Sequence, residues 1–178
     1  LGFGVLEVGG GLIAQSQALL ADSLDFVGDG TITLIGLLAL GWAATARAKV
    51  AFAQGLFLLT LGIGVIGVAI WRAMTATAPE ADLMGGIGLA ALAINVMAAL
   101  ILSQYRDGDA NVRAVWLFSR NDALANVAVI VAAGLVAWTG KAWPDLAVAA
   151  IIAALFLHSA FAILRSARTE LKELRHAA

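Results

Sequence analysis

The stretch LMGGIGLAALAINVMAALILSQ, Leu83–Gln104, contains no Asp, Glu, Lys or Arg. About 20 mostly apolar residues in a helix cross the hydrocarbon of a bilayer, and this stretch has that length. Lipid offers no partner to a free strand edge, so helix is the state that satisfies its backbone. Reading outward from it gives five further apolar segments. They run from before Leu1 to about Ala14, Ala18–Thr45, Val50–Trp71, Val112–Trp138 and Pro144–Arg165. The polar turns Pro79-Glu80-Ala81-Asp82 and Asp107-Gly108-Asp109 separate some of them. Thr139-Gly140 closes another, and Pro144 suits a first helical turn because no N–H is needed there. The fold expected is therefore all-α, a polytopic membrane protein with six transmembrane helices in one bundle. Residues 1–168 form the transmembrane domain, with a first helix that extends before Leu1. Residues 169–178 form a short cytoplasmic tail in which the last helix frays.

The whole composition agrees. The chain is 62% hydrophobic and 13% charged, against about 45–50% and about 25% in soluble domains, so lipid is its main solvent. A net charge of -1 gives no basis for a nucleic-acid partner. The absence of cysteine excludes disulfides and thiolate metal sites. No cleavable signal peptide is visible. Gly62-Ile-Gly-Val-Ile-Gly67 matches a dinucleotide pattern by letters, but it lies inside a span with no strand before it. Without a Ser-His-Asp set, a P-loop or a hydrolase carboxylate pair, the chain does not read as an enzyme, and no cofactor is expected. Small residues such as Gly9, Gly10, Gly11, Gly62 and Gly88 suit close helix packing.

Lys and Arg in the loops set orientation. Arg47, Lys49, Arg106, Arg113, Arg165, Arg168, Lys172 and Arg175 fall on one side, and only Arg72 and Lys141 on the other. Both termini are expected in the cytoplasm.

Ionisable groups inside a bilayer are costly and mark function. Asp22, Asp25 and Asp29 share one face of the second helix by their i, i+3, i+7 spacing. Three like charges on one face repel, and a divalent cation among them reverses the balance. Asp22 lies nearest the outer interface and can equally cap or hydrogen-bond. In the fifth helix Asp122 and Asn126 are one turn apart, and both offer hard oxygens. At about 1.5 Å per residue, Asp25 and Asp29 lie roughly 10–17 Å from the outer helix end, Asp122 roughly 24 Å and Asn126 about 18 Å. Arg120 either holds a buried carboxylate charged or snorkels to the interface. Asn121 falls on a different face and reads as a helix–helix hydrogen bond. Glu7 is placed for a proton relay, a pair with Arg120, or a structural hydrogen bond. Asn95 and Gln54 read as interhelical glue, and the lone His158 of the sixth helix ranks below the carboxylates as a ligand.

Three stretches carry a family resemblance. GLIAQSQALLADSLDFVGD, Gly11–Asp29, resembles the second-helix signature of the cation diffusion facilitator family, whose (Asp/His)-x-x-x-Asp pair matches Asp25 and Asp29. RNDALAN, Arg120–Asn126, resembles the fifth-helix half, with Asp122 as its final Asp. Trp143-Pro144-Asp145 before the last helix is also similar. Phe118 stands where the family has His or Asp, so the fourth ligand is displaced, and Asn126 is the protein oxygen favoured for it. Ser119, Asn121 or water are the other choices. The chain stops a few turns past its sixth helix, which resembles short members without a cytoplasmic metal-binding domain.

The resemblance implies a homodimer in a membrane, expected to be the bacterial inner membrane, exchanging a divalent transition-metal ion for protons by alternating access. The ion site expected is Asp25, Asp29, Asp122 and Asn126. Zinc is the first choice of ion, with cadmium, cobalt or nickel also accepted, since an oxygen-rich site discriminates weakly by softness. The rival reading is a proton-coupled exporter of small organic cations, which would want aromatic walls such as Phe26, Trp116 and Phe118 near the carboxylates.

Overall fold

The computed structural model describes residues 2–75, 78–104 and 110–176. Among these, six α-helices follow one another: α1 (Gly2–Ala14), α2 (Gln17–Leu38), α3 (Ala44–Thr75), α4 (Ala81–Ser103), α5 (Ala110–Thr139) and α6 (Trp143–His176). No strand occurs among the described residues. Four helices are long and apolar enough to cross a membrane: α3, α4, α5 over Ser119–Thr139, and α6. α1 is a shorter apolar helix, and the aspartates of α2 interrupt its apolar run.

Two boundaries differ from expectation. The second segment does not continue to Thr45. It stops at Leu38, tightens into a 3-10 turn at Ala39–Gly41, and Trp42 turns extended before α3 begins at Ala44. At the other end of the chain, α6 does not fray after Arg165 but stays helical to His176. The residues Glu170, Leu171, Lys172, Glu173, Leu174 and Arg175 are good helix formers, and propensity carries the helix beyond the apolar part. The turn at residues 107–109, and Arg106 with it, lies outside the described residues, as does the Arg113 side chain.

The pairs α3–α6 and α4–α5 pack antiparallel, and small residues set their approach. A Cβ on Gly62 of α3 would stand 2.5 Å from Leu157 of α6, and one on Gly55 would stand 2.8 Å from Leu164. A Cβ on Gly88 of α4 would meet Val129 of α5 at 3.2 Å. α2 and α6 run parallel to each other. At their starts Asp145 accepts hydrogen bonds from Ser16 Oγ (2.6 Å), Gln17 N (2.8 Å) and Ala18 N (3.0 Å). Farther along, Gly28 faces Phe156.

One end of the molecule gathers the α1–α2 turn, the end of α3 and the starts of α4 and α6. Arg72 there donates to the Gln15 carbonyl (2.9 Å), and Glu80 N donates to the Ala14 carbonyl (2.9 Å). Exposed Trp71, Trp138 and Trp143 belong to the same end, as expected of a belt at a membrane interface. Arg168 lies over the Phe52 ring at the opposite end, where the start of α3 meets the last part of α6. The main apolar core, which includes Leu19, Met84, Val129 and Ile152, fills the tryptophan-rich half. Cavities open toward the other half.

Candidate metal centre

α2 begins where Ser16 caps it, accepting from Leu19 N (3.0 Å) while donating to Asp145. That anchor fixes the rotation of α2 and with it the faces of its aspartates. Asp25 and Asp29 are half-buried and open onto a cavity of about 780 Å³ between α2, α5 and α6. Asn121 and Asp122 of α5 and His158 and Ser159 of α6 line the same cavity. The rest of its wall is aliphatic.

A second cavity of about 380 Å³ lies between α2, α4 and α5, lined in part by Phe26, Thr33, Asn95 and Ser119. Asp29 and Asp122 line it as well. These two carboxylates, from different helices, therefore face both cavities and stand between them. Asp122 is 6% exposed and lies close enough to Asp25 and Asp29 to be repelled by them. Among the described residues no three His, Asp or Glu side chains converge to the spacing of one metal ion. The three aspartates share a wall rather than a closed cage.

Asn126 is placed differently from the expectation. Its Nδ2 donates to Asp22, and its Oδ1 accepts from Asn95 Nδ2 (2.9 Å). Asn126 is 1% exposed and Asp22 3%. Glu7, 2% exposed, reaches Asp22 from α1. A buried polar chain thus crosses α1, α2, α5 and α4 on the core side of the carboxylate cavity. Both ends of the Asn126 amide are already engaged in it. Asn95 is interhelical glue as its isolation in an apolar helix suggests. Gln54 Nε2 is buried without a hydrogen-bond partner among the described residues.

Among the described residues Arg120 makes no contact with a buried carboxylate. It is exposed, stacks over Trp116 at 5.4 Å and donates to Asn121 Oδ1 (3.3 Å). Asn121, read from spacing as a helix–helix contact, instead faces the carboxylate cavity. The Phe118 side chain lies outside those described.

The sequence of the whole chain identifies its relatives. The cation efflux transmembrane domain family matches residues 1–172. This chain is a cation diffusion facilitator. The zinc transporter ZitB of Escherichia coli (strain K12) is 31% identical, over 97% of this chain and 59% of that protein. The metal cation efflux system protein CzcD of Cupriavidus metallidurans is 27% identical, over 96% of this chain and 58% of its own length. A cadmium, cobalt and zinc/H(+)-K(+) antiporter of Bacillus velezensis is 27% identical, over 90% and 56%. The chain spans somewhat under three-fifths of the length of these relatives. Family membership and the apolar helices make this cation diffusion facilitator chain an integral membrane protein.

Proposed function

We propose that this chain moves a divalent transition-metal cation out of the cytoplasm in exchange for protons, zinc first and cadmium, cobalt or nickel after it. The observation that carries the reading is the position of Asp29 and Asp122, two carboxylates from separate helices standing between two cavities. An ion entering either cavity meets both carboxylates. Asp25 lies one helical turn from Asp29 on the same face, and side chains so spaced are about 5–6 Å apart. In the bound state proposed, this pair closes on one ion, with Asp122 joining from α5. Proton and metal compete for the same carboxylate oxygens, which couples release of one to binding of the other. The names of the relatives, a zinc transporter and a cadmium, cobalt and zinc antiporter, point to the same class of cargo.

The ligand set proposed is Asp25, Asp29 and Asp122. Asn126, whose Oδ1 accepts from Asn95 and whose Nδ2 holds Asp22, is the fourth ligand only if that network rearranges or its oxygen's second lone pair turns to the ion. Six spans in one bundle, a homodimer, both termini in the cytoplasm and a bacterial inner-membrane location belong to the same proposal. The transmembrane unit covers residues 1–168, and 169–178 form its cytoplasmic extension. For an exporter of organic cations the larger cavity is a poor fit, because among the described residues lining it there is no Phe, Tyr or Trp, and Phe26 stands in the smaller cavity instead.

Transport by single variants tests this. Asp25→Ala, Asp29→Ala and Asp122→Ala should each abolish zinc-driven flux in proteoliposomes while the protein still inserts and elutes as wild type. Wild-type flux in any two of them removes the site.

A further inference from the structure

We propose that His158 of α6 contacts the transported ion beside Asp29 and biases the transporter toward nitrogen-accepting ions, zinc and cadmium over manganese. The inference rests on the carboxylate site proposed above and adds a residue from a helix that site does not use.

Two contacts fix the register of α6 on α2. Asp145 is bonded to Gln17 N, and Phe156 faces Gly28. Both pairs give the same offset between two parallel helices, so His158 lies level with Gly30, next to Asp29. Helical rise agrees: Asp29 is about 18 Å beyond Gln17, and His158 about 20 Å beyond Asp145. Depth alone would not bring the side chain to the ion, but the face does. Val148, Ile151, Ile152, Leu155, Ser159 and Ala162 mark the cavity stripe of α6, and His158 falls within it. Along that stripe His158 and Ser159 are the polar positions in an otherwise aliphatic wall. Asp25, Asp29 and Asp122 line the same space.

The chemistry fits. Imidazole suits zinc and related ions, whereas an all-oxygen shell suits manganese, magnesium and calcium. The family resemblance places a His or Asp at the position of Phe118, whose phenyl ring supplies no donor. His158 offers a nitrogen donor from a different helix.

The test is proton flux driven by zinc, cadmium and manganese in proteoliposomes of the full chain. Wild type, His158→Ala, His158→Cys and Asp29→Ala are compared, with zinc-edge X-ray absorption on the same proteins. His158→Ala should lower the ratio of zinc to manganese apparent affinity roughly tenfold, the lower range for disturbing a metal site's supporting shell. The zinc spectrum should lose a nitrogen scatterer. His158→Cys, adding the chain's first thiol, should restore cadmium preference, which a merely structural role would not do. If His158→Ala melts early, His158→Gln is read in its place, since it keeps bulk without the imidazole. An unchanged zinc-to-manganese ratio, with the nitrogen scatterer retained, overturns the proposal. Loss of flux in Asp29→Ala beside a wild-type ratio in His158→Ala rejects His158 alone. Retained flux in Asp29→Ala removes Asp29 from the proposed site, and this inference with it.

Discussion

Removing the Asp145 carboxylate should unlock the start of α2. The group is 1% exposed and accepts from Ser16 Oγ, Gln17 N and Ala18 N at 2.6, 2.8 and 3.0 Å. In Asp145→Ala the Ser16 hydroxyl can rotate to another acceptor, but the two backbone N–H groups cannot. A buried donor left without a partner costs about 1–3 kcal/mol. The carboxylate also sits at the positive end of α2, an interaction worth about 0.3–1 kcal/mol. Together these give a loss of about 2–7 kcal/mol, which for a chain of this size lowers the melting temperature by roughly 5–25 °C. Asp145→Asn keeps one acceptor oxygen and should lose about half as much. The assay is thermal unfolding in detergent micelles followed by tryptophan fluorescence. Zinc flux should fall in parallel, because the same anchor sets the rotation of Asp25 and Asp29. If Asp145→Ala melts within about 1–2 °C of wild type, a shift worth less than ~1 kcal/mol, the anchor carries no weight and the α2–α6 register loses its fixed point.

Asn126→Ala should destabilise the protein by about 1–3 kcal/mol, since it strands buried Asp22 and Asn95; zinc affinity measured by titration calorimetry should fall by less than it does in Asp29→Ala. Phe118→His puts nitrogen at the position where the family resemblance expects it, and should raise preference for zinc and cadmium over manganese in the same titrations. A cysteine placed at Lys172 should react with membrane-impermeant reagents only from the cytoplasmic side, and labelling from outside intact cells would reverse the orientation.

Much of the architecture is legible because lipid simplifies the code. A stretch such as Leu83–Gln104 has one satisfactory backbone state, and α4 lies where that argument puts it. Boundaries are harder where the signal is only apolarity. Leu37, Leu38, Leu40 and Trp42 suit lipid whether or not they are helical, so the break after Leu38 leaves no polar mark. The end of α6 shows the reverse, a polar run that propensity keeps helical.

Helical spacing singles out Asp25, Asp29 and Asp122, which line one cavity, because carboxylates in an apolar helix stand out whatever surrounds them. Spacing does not settle which direction a face points. Asp122 and Asn126 are one turn apart, yet one opens onto the cavities and the other is bound into the chain with Asn95 and Asp22. Asn121 and His158 reach the cavity through the angular placement of α5 and α6 around α2, which no local pattern encodes. Asp145 is likewise visible as a residue, but its partners lie in α2 and the turn before it, far away in sequence.

One ion moving through the proposed Asp25, Asp29 and Asp122 site should drive protons the other way. The decisive measurement follows lumenal pH with a trapped dye in sealed proteoliposomes, on adding zinc, cadmium, cobalt, nickel or manganese outside in turn. Zinc should drive saturable proton movement opposite to its own, and Asp122→Ala vesicles should show none. Zinc entry without proton movement, or proton movement driven by organic cations but by none of the metals, would contradict the account.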